Sequence, residues 1–234
     1  MKVIVLCGGL GTRLGDLTRD TPKPMLSVGG RPFIAHVLDR LCTDSIEGII
    51  LAAGFSWPAL KDFIGDQWRG KSVEYSVEPE AMGTGGAISL AMRSYNLAQA
   101  LIVNGDTLFD IDLDIFLKDF KQPVATRIAL REVKDCSRYG RVTLDSNYRI
   151  TSFGENGYFE SGLINGGIYL QQYEPLLAFG DRAYSFENDY LAPKVTHLRM
   201  EGVRFNDYFI DIGIPEDLQR AEIELSGTHI EQIP

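Results

Sequence analysis

The first half of this chain alternates short apolar runs with segments of helical periodicity. The apolar runs are too short for helices and rich in β-branched residues, as is typical of buried strands. This alternation predicts an α/β fold, a Rossmann-like αβα sandwich in which helices cover both faces of a mostly parallel sheet. The predicted strands are residues 3–6, 49–51, 73–77, 100–103 and 128–130, and the predicted helices are residues 33–41, 57–64, 83–95 and 113–120.

The second half is predicted to contain hairpins rather than further strand–helix units. Residues 141–144 and 148–153 have strand character and flank a turn signal between them. Residues 163–170 form a further predicted strand, and a last helix is expected to begin at Pro215, because proline suits the first helical turn. A chain of 234 residues is long enough for one domain with a sizeable core, so we expect residues 1–234 to form a single domain.

The overall charge and the cysteines narrow the classes of function. The formal net charge is −9, so a general basic field for nucleic acid is excluded and any phosphate site must be local. Three scattered cysteines are typical of a reducing compartment without structural disulfides. There is no signal-peptide pattern and no apolar run of membrane-spanning length, so we expect a cytoplasmic protein without membrane contact.

A glycine-rich turn after the first strand is the strongest chemical signal. Gly8, Gly9 and Gly11 remove side chains where the strand ends, so backbone N–H groups can approach a polyanion closely. Arg13 then adds a guanidinium fork and Lys23 a compact ammonium group. This combination predicts a phosphate-binding loop, although the glycines alone are equally typical of a plain strand-to-helix turn.

Two known phosphate loops do not fit this turn. A P-loop requires Lys and Ser or Thr after its last glycine, whereas Thr12 and Arg13 follow here. The dinucleotide-binding fingerprint requires glycine at the position of Leu14. The turn is therefore a different kind of phosphate loop.

Two aspartates follow predicted strands. Asp106 comes after the strand at residues 100–103, separated from it by Asn104 and Gly105, and Asp211 follows a short apolar run. Ligands of open α/β sheets bind at the carboxyl ends of strands, and Mg²⁺ commonly takes one or two protein carboxylates. Each aspartate taken alone is more typical of a turn or a helix cap than of a metal site.

The opening signature resembles that of the sugar nucleotidyltransferases, Gly-Gly-x-Gly-Thr-Arg-Leu followed by Pro-Lys-Pro. The resemblance extends through Asp106 and Glu155 to Asp211, over nearly the whole chain. It implies that Arg13, Lys23 and Asp106 are catalytic, and that Asp106 and Asp211 bind Mg²⁺. It also implies that residues 1–130 or so bind the nucleotide and residues 131–225 or so bind a sugar phosphate.

The base is predicted from the segment after the strand at residues 73–77. Relatives that use thymidine or uridine nucleotides usually have Gln where this chain has Glu78, and a carboxylate accepts from the adjacent N–H donors of guanine. Glu78 therefore favours GTP, with Glu80 or a solvent-exposed loop acid as the alternatives. The glycines from Gly83 onward are expected to form a flat floor under the base or ribose. The predicted nucleotide-binding residues are Leu6, Gly8, Gly9, Gly11, Thr12, Arg13, Glu78, Gly83 and Thr84.

The resemblance also predicts the second substrate. On residues 163–169 and 207–217, the chain is most similar within the family to the subgroup that joins GTP and D-glycero-D-manno-heptose 1-phosphate to give GDP-heptose and pyrophosphate. It departs from the family at Asn156, where a phosphate-binding lysine is usual. The predicted sugar-phosphate-binding residues are Tyr139, Gly140, Glu155 and Asn165.

Alternatives to this reading stay open at the level of the sequence. They are the same reaction with another pair, such as GTP with mannose 1-phosphate or UTP or dTTP with glucose 1-phosphate, and a catalytically silent regulatory subunit. The expected partners are GTP or another nucleoside triphosphate and a sugar 1-phosphate, and a homodimer is a further expectation.

Overall fold

The computed structural model describes residues 1–8, 12–18, 21–54, 57–154 and 161–226, without the side chains of Thr12, Arg13 and Asp16. Within these ranges most strands join one central mixed sheet, and two short strand pairs lie outside it. The strands are β1 Lys2–Leu6, β2 Ser27–Val28, β3 Arg31–Pro32, β4 Gly48–Ala53, β5 Gln67–Trp68, β6 Lys71–Val77, β7 Gln99–Asn104, β8 Thr107–Phe109, β9 Val124–Val133, β10 Val142–Leu144, β11 Ile150–Phe153, β12 Gly162–Gln172, β13 Arg199–Phe205 and β14 Phe209–Asp211.

The helices lie between these strands. The α-helices are α1 Phe33–Arg40, α2 Trp57–Ile64, α3 Gly83–Ser94, α4 Leu113–Leu117, α5 Ala192–Lys194 and α6 Pro215–Leu225. Three 3₁₀-helical segments span Thr12–Thr18, Lys23–Met25 and Glu174–Phe179, and a π-helix spans Phe186–Leu191. In this part of the chain no helix is long and apolar enough to cross a membrane.

The centre of the sheet contains four adjacent parallel strands in the order β6-β4-β1-β7. Strand β12 continues the sheet antiparallel to β7, and it also pairs with β9 and β10. Strand β13 runs parallel to β9. The predicted α/β fold and the predicted central strands are confirmed, and the antiparallel strands are concentrated in the second half.

Side chains of the central strands alternate between two cores. Val3 and Val5 of β1 belong to one apolar cluster, together with residues of α1, α2, α4 and α6. Ile4 points to the opposite face and packs with residues of α3 and the π-helix. Each of these side chains is fully buried, which contributes about 1.5–3 kcal/mol for a residue of this size. Because successive side chains of β1 are buried on opposite faces of the sheet, helices must cover both faces, as predicted.

Helix α4 is shorter than the prediction of residues 113–120. It begins where the Asp112 carboxylate accepts from the backbone N–H groups of Asp114 and Ile115, at 2.9 and 3.0 Å. It ends at Leu117 because Lys118 is extended and Asp119 has a φ of 57°. Arg127 of β9 donates to backbone carbonyls at this end of the helix and so replaces the missing helical hydrogen bonds.

Candidate active site

The carboxyl ends of the four central parallel strands meet at one edge of the sheet. The backbone N–H of Glu78, after β6, donates to the Ala53 carbonyl at the end of β4, at 3.1 Å. The N–H of Gly105, after β7, donates to the Leu6 carbonyl at the end of β1, at 2.9 Å. The predicted nucleotide-binding residues Leu6, Gly8 and Glu78 therefore lie side by side with the segment that leads to Asp106. This edge is where open α/β sheets bind ligands.

The two predicted metal ligands lie in the same place. Strand β14 pairs antiparallel with β8, with Asp211 opposite Thr107, and the N–H of Ile212 donates to the Asp106 carbonyl at 3.1 Å. This pairing brings the carboxylates of Asp106 and Asp211 close to one amine. The Lys23 Nζ lies 2.5 Å from Asp106 Oδ2 and 3.6 Å from Asp211 Oδ1. Three residues from distant parts of the chain thus form one cluster.

Burial and charge make this cluster electrostatically unusual. Burial, followed by the nearby charge of Asp106, raises the pKa of Asp211 above its usual range, while Lys23 opposes that shift. Two carboxylates share a single ammonium group, so the cluster retains negative charge when both acids are ionised. A Cβ at Gly213 would lie 2.9 Å from Asp211 Oδ1, so glycine keeps this side of the carboxylate open.

The donor set fits a hard divalent cation that is shared with a ligand. Mg²⁺ usually takes one or two protein carboxylates and completes its shell with phosphate oxygens and water. Among the described residues no group of three or more His, Cys, Asp or Glu side chains is placed to hold a metal ion. The pair Asp106 and Asp211 therefore suits a cation that arrives with a nucleoside triphosphate better than a permanently caged ion.

Glu78 is held in place at the edge of the sheet. Its Oε2 accepts from the backbone N–H of Met82 at 2.8 Å, and its Oε1 lies beside Gly8, where an added Cβ would come within 2.8 Å. Burial raises the pKa of Glu78, although the Met82 N–H opposes this. The alternative reader of the base, Glu80, is exposed. Glu78 is therefore the better-positioned acceptor of the two.

The structure gives the glycines around the start of α3 a different explanation from the predicted one. A Cβ at Gly85 would overlap the ring of Tyr184, at 2.0–2.5 Å, and one at Gly86 would lie 2.7 Å from Met82 Cβ. Gly83 has a φ of +69° and lies against the Tyr184 carbonyl. Packing against Tyr184 and Met82 is therefore sufficient to require glycine at these positions. A nucleotide contact at Gly83 stays a prediction.

Three of the predicted sugar-phosphate residues, Tyr139, Gly140 and Asn165, lie within the described part of the chain. Tyr139 packs edge-on against Phe209 of β14, with ring centroids 6.1 Å apart, and its pKa is raised by burial and by the charge of Asp211. Gly140 follows it with a φ of 73°. Asn165 of β12 donates from Nδ2 to the Tyr169 hydroxyl at 2.8 Å. These positions fit the prediction without testing their role.

Several predicted residues cannot be placed. Gly9, Gly11, Glu155 and Asn156 lie outside the described residues, and so do the side chains of Thr12 and Arg13. Their roles in nucleotide and sugar-phosphate binding stay predictions.

Sequence reasoning missed Glu187, a partly buried acid of the π-helix. Its Oε2 accepts from the Thr84 hydroxyl at 2.8 Å, so it contacts a predicted nucleotide-binding residue directly. A π-helix repeats at neither the α-helical nor the strand period, and the apolar residues Phe186, Tyr190 and Leu191 therefore gave no recognisable pattern.

Comparison with known proteins identifies the family of the chain. The family described as Nucleotidyl transferase matches residues 2–226. The chain is 39% identical, over 93% of its length and 96% of the relative, to the D-glycero-alpha-D-manno-heptose 1-phosphate guanylyltransferase of Campylobacter jejuni. It is 37% identical to the enzyme of the same name from Aneurinibacillus thermoaerophilus, over 96% of this chain and 98% of the relative.

One solved structure is similar to this chain in both fold and sequence. HddC from Yersinia pseudotuberculosis, crystallised in complex with GMP-PN, superposes with a TM-score of 0.84 and 33% identity. The match covers 95% of this chain and 98% of that protein.

Proposed function

Because the chain belongs to the nucleotidyl transferase family, we propose that it transfers GMP from GTP to D-glycero-α-D-manno-heptose 1-phosphate. The products are GDP-heptose and pyrophosphate, for use in bacterial surface polysaccharide. The observation that carries this proposal is the cluster of Lys23, Asp106 and Asp211, in a chain with 37–39% identity over nearly its full length to two heptose 1-phosphate guanylyltransferases.

In this reaction a phosphate oxygen of the sugar phosphate attacks the α-phosphorus of GTP in line. A new phosphorus–oxygen bond forms, the bond between the α-phosphorus and the bridging oxygen breaks, and pyrophosphate leaves. The nucleophile is already an anion and needs no general base. The difficulty is to bring two polyanions together, so positioning and charge stabilisation should supply most of the catalysis.

The residues of this chain divide that work. Asp106 and Asp211 would hold Mg²⁺, which neutralises phosphate charge when bound. Lys23, whose amine lies near both acids, would contact the α-phosphate, and Arg13 would bind the leaving pyrophosphate. In the free protein Lys23 compensates the two carboxylates. With a cation held by Asp106 and Asp211, the Lys23 amine would be free to contact the phosphate.

The choice of base rests on Glu78. Its fixed carboxylate offers acceptors to the N1–H and N2–H₂ donors of guanine, whereas uracil and thymine would present carbonyl oxygens to it. The complex of HddC with GMP-PN is consistent with a guanine nucleotide in this fold.

Pyrophosphate release tests the proposal. The protein is incubated with each of GTP, ATP, CTP, UTP and dTTP against heptose, mannose and glucose 1-phosphates. We expect GTP with the heptose phosphate to give the highest kcat/KM. A clear preference for UTP or dTTP would overturn the assignment of Glu78, and no turnover with any pair would favour a regulatory subunit.

A further inference from the structure

Glu187 joins two parts of the candidate site that are far apart in the sequence. Its Oε2 accepts from the Thr84 hydroxyl at 2.8 Å and more distantly from Ser185 Oγ at 3.4 Å. Thr84 lies in the first turn of α3 and accepts in turn from the Phe186 N–H at 2.8 Å. The nucleotide-side turn and the π-helix are therefore tied by two hydrogen bonds through one hydroxyl.

The other carboxylate oxygen of Glu187 faces the sugar-side strand. Oε1 lies 3.5 Å from the hydroxyl of Tyr169, which is only 1% exposed. The same hydroxyl accepts from Asn165 Nδ2 at 2.8 Å, and the N–H of Gly167 donates to Asn165 Oδ1 at 3.0 Å. A continuous polar chain thus runs from Thr84 through Glu187 and Tyr169 to Asn165.

The π-helix that carries Glu187 is held against β9 and β12 by buried hydrogen bonds. The Tyr190 hydroxyl lies within 3.1 Å of Thr126 Oγ1 and 3.0 Å of Gln171 Nε2, and all three residues are fully buried. Phe186 stacks on Tyr190 and meets the Tyr169 ring edge-on, with centroids 5.2 Å apart in each pair. Since buried, satisfied polar networks rigidify their surroundings, Glu187 projects from a fixed platform. Irregular π turns are frequent at functional sites.

We propose that Glu187 is a positioning residue that fixes the spacing between the Thr84 turn and the Asn165–Tyr169 segment, and so aligns the two substrates. The proposal rests on the proposed function, because it assumes that nucleotide and sugar phosphate bind on these two sides. In-line attack depends on alignment, and misplacement by about 1 Å can cost about 10²-fold in rate.

The experiment compares Glu187→Ala with Asn188→Ala, an exposed neighbour on the same π-helix. Glu187→Ala is expected to lower kcat/KM by about 10²-fold, with a fall in kcat as well as a rise in KM for the sugar phosphate. Asn188→Ala should retain wild-type kinetics. Kinetics are measured with the substrate pair that the wild-type protein prefers. If that pair is not GTP with heptose 1-phosphate, the proposed function is overturned, but the comparison of the two variants still tests the role of Glu187.

Variants of Thr84 separate positioning from folding. Thr84→Val removes the hydroxyl and keeps the shape, so it should reproduce the loss, whereas Thr84→Ser should restore most of it. The double variant Glu187→Ala/Thr84→Val should be no slower than the worse single variant, because both changes break one link. Fully additive losses, or wild-type kcat and KM in Glu187→Ala, would overturn the proposal. If Glu187→Ala does not fold, Glu187→Asp takes its place, since it keeps the charge and shortens the side chain by one methylene. Wild-type kcat and KM in folded Glu187→Asp would overturn the proposal.

Discussion

Two regions of the molecule bring candidate site residues together in different ways. One is the set of parallel strands β6-β4-β1-β7, and the other is formed by β9, β12, β13 and the π-helix. In the first region the strands are parallel, so the residues that follow them lie at one edge of the sheet. Strand order alone therefore places Gly8, Glu78 and Asp106 at the same edge. In the second region the functional candidates depend on contacts between distant segments, such as that of Glu187 with Thr84. The position of the first group follows from parallel topology, whereas the proposed alignment of the second substrate depends on tertiary packing.

The acidic cluster combines residues from three segments. Lys23 lies in a 3₁₀ segment, Asp106 follows β7 of the parallel region, and Asp211 is brought in by the pairing of β14 with β8. Substitutions in the two regions therefore test whether loss of turnover and loss of packing can be produced separately.

The largest effect is expected from Asp106→Asn, in the parallel region. The change removes a carboxylate that would hold the cation and leaves Lys23 without its nearest partner. Losing one preorganised charge contact in an active site typically costs about 10²–10³-fold in kcat. Steady-state pyrophosphate release measures the loss, and circular dichroism checks that the variant folds. Near wild-type turnover in a folded variant would remove Asp106 from the mechanism.

Gly85→Ala tests the contact between α3 and the second region. The new methyl group would overlap the Tyr184 ring, and overpacking of this kind costs about 1–3 kcal/mol or more. In a chain of this size each 1 kcal/mol lowers Tm by about 2–4 °C. Gly54→Ala is the control for stability, since its added Cβ would contact none of the described residues within 4 Å. Equal melting temperatures for the two variants would contradict the packing described for Tyr184.

Thr126→Val tests the buried polar network of the second region. The Thr126 hydroxyl donates to Gln171 Oε1 at 2.7 Å, so valine would leave a buried acceptor unsatisfied. We expect the free energy of unfolding to fall by about 1–3 kcal/mol, as measured by urea denaturation. Thr151→Val, at an exposed position, should change it by less than about 0.5 kcal/mol. A Thr126 variant as stable as the wild type would mean that this network does not anchor the π-helix.

The same contrast explains what the sequence predicts. The parallel strands, α1, α2 and the start of α6 follow from apolar periodicity and proline placement, because each forms from local pattern and burial. The acid–lysine cluster follows from a motif. The sequence pattern does not predict the end of α4 at Leu117, because that end depends on Arg127. It does not predict the π-helix either, because Tyr190 of this helix bonds to Thr126 and Gln171, which are distant in the chain. Likewise, Gly85 is explained only by the ring of Tyr184.

The smallest expected effect is a pH dependence of nucleotide binding. Because burial raises the pKa of Glu78, its carboxylate gains a proton at a higher pH than an exposed glutamate. Protonation removes an acceptor for guanine, so KM for GTP should rise as pH falls through that raised pKa. Glu78→Gln should have a higher KM at neutral pH and a flatter profile over the same range. Parallel profiles for the two proteins would contradict guanine recognition by Glu78.

The central claim is that nucleotide and cation meet where the parallel strands end, between Asp106 and Asp211. A crystal structure with Mg²⁺ and a non-hydrolysable GTP analogue tests it most directly. The account predicts one cation bound by both carboxylates, the Lys23 amine turned toward the phosphates and the guanine beside Glu78. A nucleotide bound elsewhere, or a cation that contacts neither aspartate, would contradict it.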